Sequence, residues 1–427
     1  MRKILGSLAL LVTLGAPAAC RLDSPRGTAP RTDPCTLALV PHSGEAKLDR
    51  EIARVQEEAR RGPNSARALE RLGWLFVGKA RTTYDPGYYK LAEQCADCIE
   101  ARTPQSPEAL LLRGHVLDNL HRFKEAEIVA RRLVNVRGSA FDHGLLGDAL
   151  MEQGRLREAA ASYQLMLDLR PGLQAYSRAA HLRWLQGDLA GALKLQRMAA
   201  AAGTPRDTES LAWAYVRLAH YELEAGDLKA AARACEAALA FEPDYAPALL
   251  ARGRVLLAGR ETPAAVEALA RAATLNPLPE YQWTLAEALH SAGRDGEARG
   301  IEREIEARGA ASDPRTYALF LATRRRAPEL ALRLAEEELR ARADVFTLDA
   351  LAWASAAAGR LDQAQARIEQ ALGCGTVDAR LFYHAGVIAR AAGRIEEARR
   401  WFEKAAAREQ TLLPSEREQL TQQIAVL

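Results

Sequence analysis

Between Leu145 and Pro171 the chain reads LLGDALMEQGRLREAAASYQLMLDLRP, two apolar blocks of helical period separated by Gly154. A period near 3.6 predicts two amphipathic helices of roughly 12–14 residues joined by a tight turn. Gly147, small and inside the first helix, lets the second approach closely. Gly154 ends the first helix, and Pro171 ends the second because proline cannot continue it. The same punctuation recurs. Gly114 leads to Ala126 and Ala130, Ala219 to Gly226, Ala231 and Pro243, and Gly253 to Ala265 and Pro277. Ala352 leads to Gly359 and Ala364, and Gly386 to Gly393, Ala398 and Phe402. Units led by Ala180 and Ala286 complete a period of about 34 residues. A helix pair cannot bury its apolar stripe alone, so such units stack on their neighbours.

Two units are irregular. One begins near Ala66 and carries extra residues around Thr82–Gly87; the other, Thr316 to Arg342, has ATRRRAPEL where the small residue and turn glycine belong. The second is expected to be the weakest link of the array. PSEREQLTQQIAVL closes the chain as a capping helix, with Ser415 and Glu418 as a capping box and Leu420, Ile424 and Leu427 as its apolar stripe. A helix near Leu48–Arg60 caps the other end. The expected divisions are residues 1–19, 20–45 (tether), 46–65 (N-terminal cap), 66–408 (the array) and 409–427 (C-terminal cap).

The pattern resembles the tetratricopeptide repeat, most plainly in LLGDALMEQGRLREAAASYQLMLDLRP and LFYHAGVIARAAGRIEEARRWFEKAAA. The resemblance implies an all-α fold, a right-handed superhelical solenoid of about ten helix pairs making a little over one turn, with first helices lining a concave groove. It places groove residues at offsets −6, −3, +1 and +4 from the small residue. Four of the six tryptophans fall on those rows: Trp184, Trp213, Trp283 and Trp353. Tyr383, His181 and His220 fall there too, and these seven are the candidate partner-binding residues. Aromatic anchors for an extended peptide or a partner helix are one reading; burial between adjacent repeats is the other. The Lys/Asn/Arg clamp with which some members hold C-terminal carboxylates has no counterpart on these rows.

The N-terminus changes the setting. Arg2 and Lys3, the apolar run Ile4–Leu14 and Ala16-Pro17-Ala18-Ala19 read as a signal peptide, too short to span a membrane. Cys20, directly after it, resembles the lipidated cysteine of bacterial lipoproteins, although Pro17 departs from that pattern. Arg21 stands where aspartate would imply inner-membrane retention, so an outer-membrane anchor facing the periplasm is expected, with a periplasmic or secreted protein as the alternative. Residues 21–45, rich in Pro, Ser, Thr, Gly and Arg, read as a flexible tether. The formal net charge of +3 falls to +1 once residues 1–19 are removed, which argues against a nucleic-acid footprint.

Candidate chemistry is sparse. His115, His181 and His220 share a row with Asp148, but stacked repeats hold them too far apart for one ion, and no metal is expected. Cys95 and Cys98 in CADC lack the histidine of a haem motif and a second pair for zinc. They read as buried small residues, as a disulfide with Cys35, or as a redox pair. No phosphate loop, dinucleotide fingerprint, nucleophile elbow or zincin motif is present, so neither a cofactor nor an enzyme is expected. The sequence therefore points to an exported, lipid-anchored scaffold holding an envelope protein or peptide. Its alternatives are an assembly factor docking on an outer-membrane or secretion machine, and a redox or cofactor-handling protein using Cys95 and Cys98.

Overall fold

In the computed structural model, which describes residues 33–62 and 65–427, every regular element is helical. A short helix α1 (Pro34–Ala38) and the helix α2 (Lys47–Arg61) precede ten helix pairs. The first five pairs are α3 (Ser65–Thr83) with α4 (Gly87–Arg102), α5 (Pro107–Asn119) with α6 (Phe123–Val136), α7 (Ala140–Glu152) with α8 (Leu156–Leu169), α9 (Leu173–Leu185) with α10 (Leu189–Ala201), and α11 (Thr208–Glu224) with α12 (Leu228–Phe241). The second five are α13 (Ala246–Ala258) with α14 (Thr262–Leu275), α15 (Pro279–Ser291) with α16 (Asp295–Ser312), α17 (Pro314–Thr323) with α18 (Pro328–Ala341), α19 (Val345–Ala357) with α20 (Leu361–Leu372), and α21 (Ala379–Ala391) with α22 (Ile395–Ala406). A single 3-10 turn, Glu409–Thr411, leads into the last helix, α23 (Pro414–Ala425).

Local chemistry explains these boundaries. Asp207, Asp227, Asp313, Asp344 and Asp378 each accept a backbone N–H of the first helical turn through their side chains. Proline begins α5, α15, α17, α18 and α23, where its missing N–H costs nothing. At Gly147 any Cβ would run into the ring of Tyr163, which is how α8 lies so close to α7. Tyr163 is buried and donates its hydroxyl to Asp148 (2.8 Å).

The array curls more tightly than a little over one turn. Each of three first helices ends against a loop about six pairs further along the chain. Ala343 N donates to Glu152 O (3.0 Å), Thr376 Oγ1 to Leu185 O (2.6 Å), and Gln410 Nε2 to Leu223 O (3.1 Å). The last carbonyls of a helix have no intrahelical partner, and here the next superhelical turn supplies one. Arg342 pairs with Glu152 across the same seam (2.8 Å), and Glu287 accepts both the backbone N–H (3.0 Å) and the hydroxyl (2.8 Å) of Ser415. The extra residues near Thr82–Gly87 take part as well. Tyr84, in the left-handed region at φ 56°, packs on the core of the α13–α16 pairs.

The irregular unit is shorter but well filled. Its first helix has ten residues, and Tyr317, Phe320 and Leu321 are buried in the largest core cluster. Arg324, from the run in place of the turn glycine, pairs with Glu287 (3.1 Å) and Glu302 (2.8 Å). Arg325 and Ala327 make the turn at φ 52° and 42° without glycine.

The expected tether is corrected from Asp33 onward. Asp33 caps α1, Cys35 is bridged to Cys98 of α4, and Gln56 of α2 donates to Val40 O (2.7 Å). A covalent link binds this stretch to the first pair, and a part-buried hydrogen bond binds it to α2. The signal segment and Cys20 lie outside the described residues. Among the described residues no helix is long and apolar enough to cross a membrane.

Candidate functional site

The small-residue register sets which side chains of the first helices point inward. Across α11, α13 and α15 those rows converge on a shelf around a cavity of about 250 Å³. Trp213, Val216, His220 and Leu223 come from α11, Pro247, Leu250 and Arg254 from α13, and Glu280 from α15. Trp213 is 38% exposed, an unusual position for so large an aromatic, while Leu250 beside it is buried. Arg254 donates to Glu280 (2.9 Å).

Arg217, which also lines the cavity, donates from Nη2 to His181 Nδ1 (2.6 Å) and to the hydroxyl of Tyr221 (2.8 Å). Its guanidinium lies over the rings of Trp184 (5.9 Å) and Tyr221 (5.1 Å). Burial, and then the Arg217 charge, push His181 and His220 well below the ordinary histidine range, so both rings are neutral at pH 7. Glu224, 3.9 Å from His220, is pushed well up by its own burial and by Asp378.

A second cavity of about 180 Å³ lies in the seam between successive turns, lined by His181, Leu185, Arg342, Asp344, Phe346 and Cys374 among others. The charges there are largely self-neutralised, with Arg342 on Glu152 and Arg315 on Asp344 (3.0 Å).

The seven sequence candidates separate into two sets. Trp213 and His220 stand on the shelf, and His181 stands behind it, half-buried. Trp184, Trp283, Trp353 and Tyr383 are inside the protein. Trp184 stacks on Phe346 (5.6 Å), which the next turn brings over it. Trp283 donates its Nε1–H to Glu287 (3.1 Å), with Arg380 over its face (5.3 Å). Trp353 stacks on His384 (4.1 Å) and donates to Thr323 Oγ1 (3.0 Å). Tyr383 donates to Gln419 of α23 (2.8 Å). Trp184 and Trp283 are thus covered by parts of the chain remote in sequence, whereas Trp353 and Tyr383 pack against adjacent elements. Arg217 escaped the sequence analysis because it sits two residues before the small residue Ala219, off all four rows.

The redox reading of Cys95 with Cys98 is corrected. Cys98 is joined to Cys35, and Cys95 is fully buried, its thiol pushed up strongly by desolvation. Two such sulfurs are not a dithiol. His115 bonds to Arg81 (2.9 Å), and among the described residues no group of three or more potential ligands is placed to hold a metal ion.

Stacked helix pairs wound into a superhelix, with an inward-facing row from each first helix, define a helical-repeat solenoid. The tetratricopeptide repeat family model matches residues 145–207, 216–278, 250–314 and 350–411, more than half of the sequence, and the chain belongs to that family. No curated protein matches the sequence. Among solved structures it is similar to a human IFIT1 dimer with PPP-AAAA, at 16% identity over 76% of each chain with a TM-score of 0.49. It is also similar to PilF of Pseudomonas aeruginosa, at 15% identity over 51% of this chain and 97% of that one, TM-score 0.41. MamA matches at 21% identity over 40% of this chain and 91% of that one, TM-score 0.32.

Proposed function

We infer that this protein is a non-catalytic scaffold, exported and anchored by a lipid on Cys20, that holds a peptide or protein segment of an envelope partner against the shelf on α11, α13 and α15. The observation that carries the reading is Trp213, 38% exposed beside the buried Leu250 while most of the other inward aromatics are sealed. Trp and Arg on a preformed surface are the residue types that dominate binding energy. The basic, apolar and small-residue blocks before Cys20 support export, and the Cys35–Cys98 bridge fits an oxidising compartment.

Two experiments test it. Trp213→Ala should weaken partner capture by about 2 kcal/mol or more with little change in melting. Trp353→Ala, at a position only 9% exposed, should instead cost about 3–5 kcal/mol of folding stability. Unchanged capture by a folded Trp213→Ala variant would end the shelf reading. Separately, Cys20→Ser should release the protein from the membrane fraction; wild type found wholly soluble would end the anchor reading.

A further inference from the structure

Arg217 is a positive charge that the fold leaves unanswered. Its two hydrogen-bond partners, His181 Nδ1 and the Tyr221 hydroxyl, are neutral, and no carboxylate among the described residues pairs with it. A guanidinium carries five N–H donors. The Nη2 pair is used, and those on Nε and Nη1 have no protein acceptor among the described residues. Two hydrogen bonds and two aromatic faces hold the group in place, so a ligand would meet preorganised N–H donors. The neighbouring Arg254 differs, being answered by Glu280.

The same cavity offers apolar area beside that charge. Trp213, Val216 and Leu250 line it. Its volume of about 250 Å³ exceeds the ~150 Å³ that encloses a benzene, enough for one apolar side chain with a carboxylate alongside. Burial first, and the Arg217 charge next, hold His181 and His220 well below the ordinary histidine range, so neither ring adds a competing charge beside the guanidinium.

We propose that this cavity is the specificity subsite of the scaffold, where Arg217 takes the side-chain carboxylate of an Asp or Glu whose neighbouring apolar residue lies on Trp213, Val216 and Leu250. The inference rests on the peptide-scaffold reading above. The occupant is an internal acidic residue because the cavity lies in the fifth to seventh of ten pairs, where a segment laid along the inner face passes over it. With both Nη2 hydrogens engaged, the carboxylate takes a single charge-assisted N–H from Nε or Nη1, in a fixed plane that the rotating ammonium of lysine does not reproduce.

The test selects random dodecapeptides, displayed with fixed sequence on both sides, on the full-length protein. Asp or Glu beside Leu, Ile, Phe or Trp should be enriched about tenfold or more, the scale of one charge-assisted hydrogen bond. Arg217→Gln should erase the acidic preference, and Arg217→Lys should keep only part of it. Trp213→Ala should lower recovery of acidic and neutral peptides alike; unfolding of the variants is monitored by circular dichroism. Peptides enriched without an acidic preference would overturn the subsite and leave the scaffold standing. So would a preference confined to a parallel library with free C-termini, an acidic preference surviving in Arg217→Gln, or single-stranded oligonucleotides bound with the same Arg217 dependence. No enriched peptide at all would overturn the subsite together with the scaffold.

Discussion

Gly154 and Gly187 should tolerate alanine far less well than Gly359, although all three make the same turn. Their φ values are 75°, 81° and 74°, and a side chain in that region costs about 1–2 kcal/mol wherever it stands. The surroundings differ. A Cβ at Gly154 would lie 2.5 Å from Ala343 O, and one at Gly187 would lie 2.5 Å from Gly375 O, both on the next superhelical turn. At Gly359 nothing lies within 4 Å. Backbone cannot swing aside as a side chain can, so the seam must open or the turn distort. Overpacking of that kind costs about 1–3 kcal/mol, placing Gly154→Ala and Gly187→Ala at about 2–5 kcal/mol against about 1–2 kcal/mol for Gly359→Ala. Urea unfolding of the three variants measures the difference. Equal losses at all three would mean that the turns do not touch in solution, and the closed superhelix would fail.

Arg325→Gly should stabilise by about 1 kcal/mol, because Arg325 is exposed at φ 52° where glycine carries no Cβ penalty; an unchanged or lower melting temperature would contradict this. Stability should fall as pH drops below about 6.5, because the unfolded chain then takes up protons that the buried histidines refuse. Burial first, and Arg81 next, hold His115 at about 3, so at pH 5.5 it alone costs about 1 kcal/mol relative to pH 7.5. His115→Gln should flatten the pH dependence by that amount in paired melts. Cys35→Ser should cost about 4 kcal/mol from the lost constraint on a loop of 63 residues. Hydrogen exchange should localise that loss to α1–α4, and uniform loss across the array would refute a local role.

The array was legible because one small residue per pair fixes which neighbours face inward. Five residues from those rows, Trp213, Val216, His220, Leu250 and Arg254, line one cavity. What covers that face elsewhere was not legible, since it depends on a few degrees of rotation per pair accumulated over about six pairs. Trp184 therefore reads as a groove residue until Phe346 arrives over it from the next turn. Arg217 was missed because the rows describe helix geometry alone, whereas its orientation comes from His181, on the preceding pair, and from Tyr221. Residues 33–45 look like a tether by composition. Their attachment comes from a single covalent partner, Cys98, and nothing in their own sequence announces which cysteine that is.

The seam also sets a timetable. The carbonyl of Leu185 is sealed by Thr376, 191 residues later. At a synthesis rate of 5–20 residues per second the partner arrives about 10–40 s after the helix that needs it. For most of that interval Trp184 lacks Phe346, and each of the three helices carries an open carbonyl for a similar delay. Contacts of such long range slow folding compared with a linear array that zips from pair to pair. The nascent first half is thus an open surface competing for other apolar partners, and it closes only when the final pairs wind back over it.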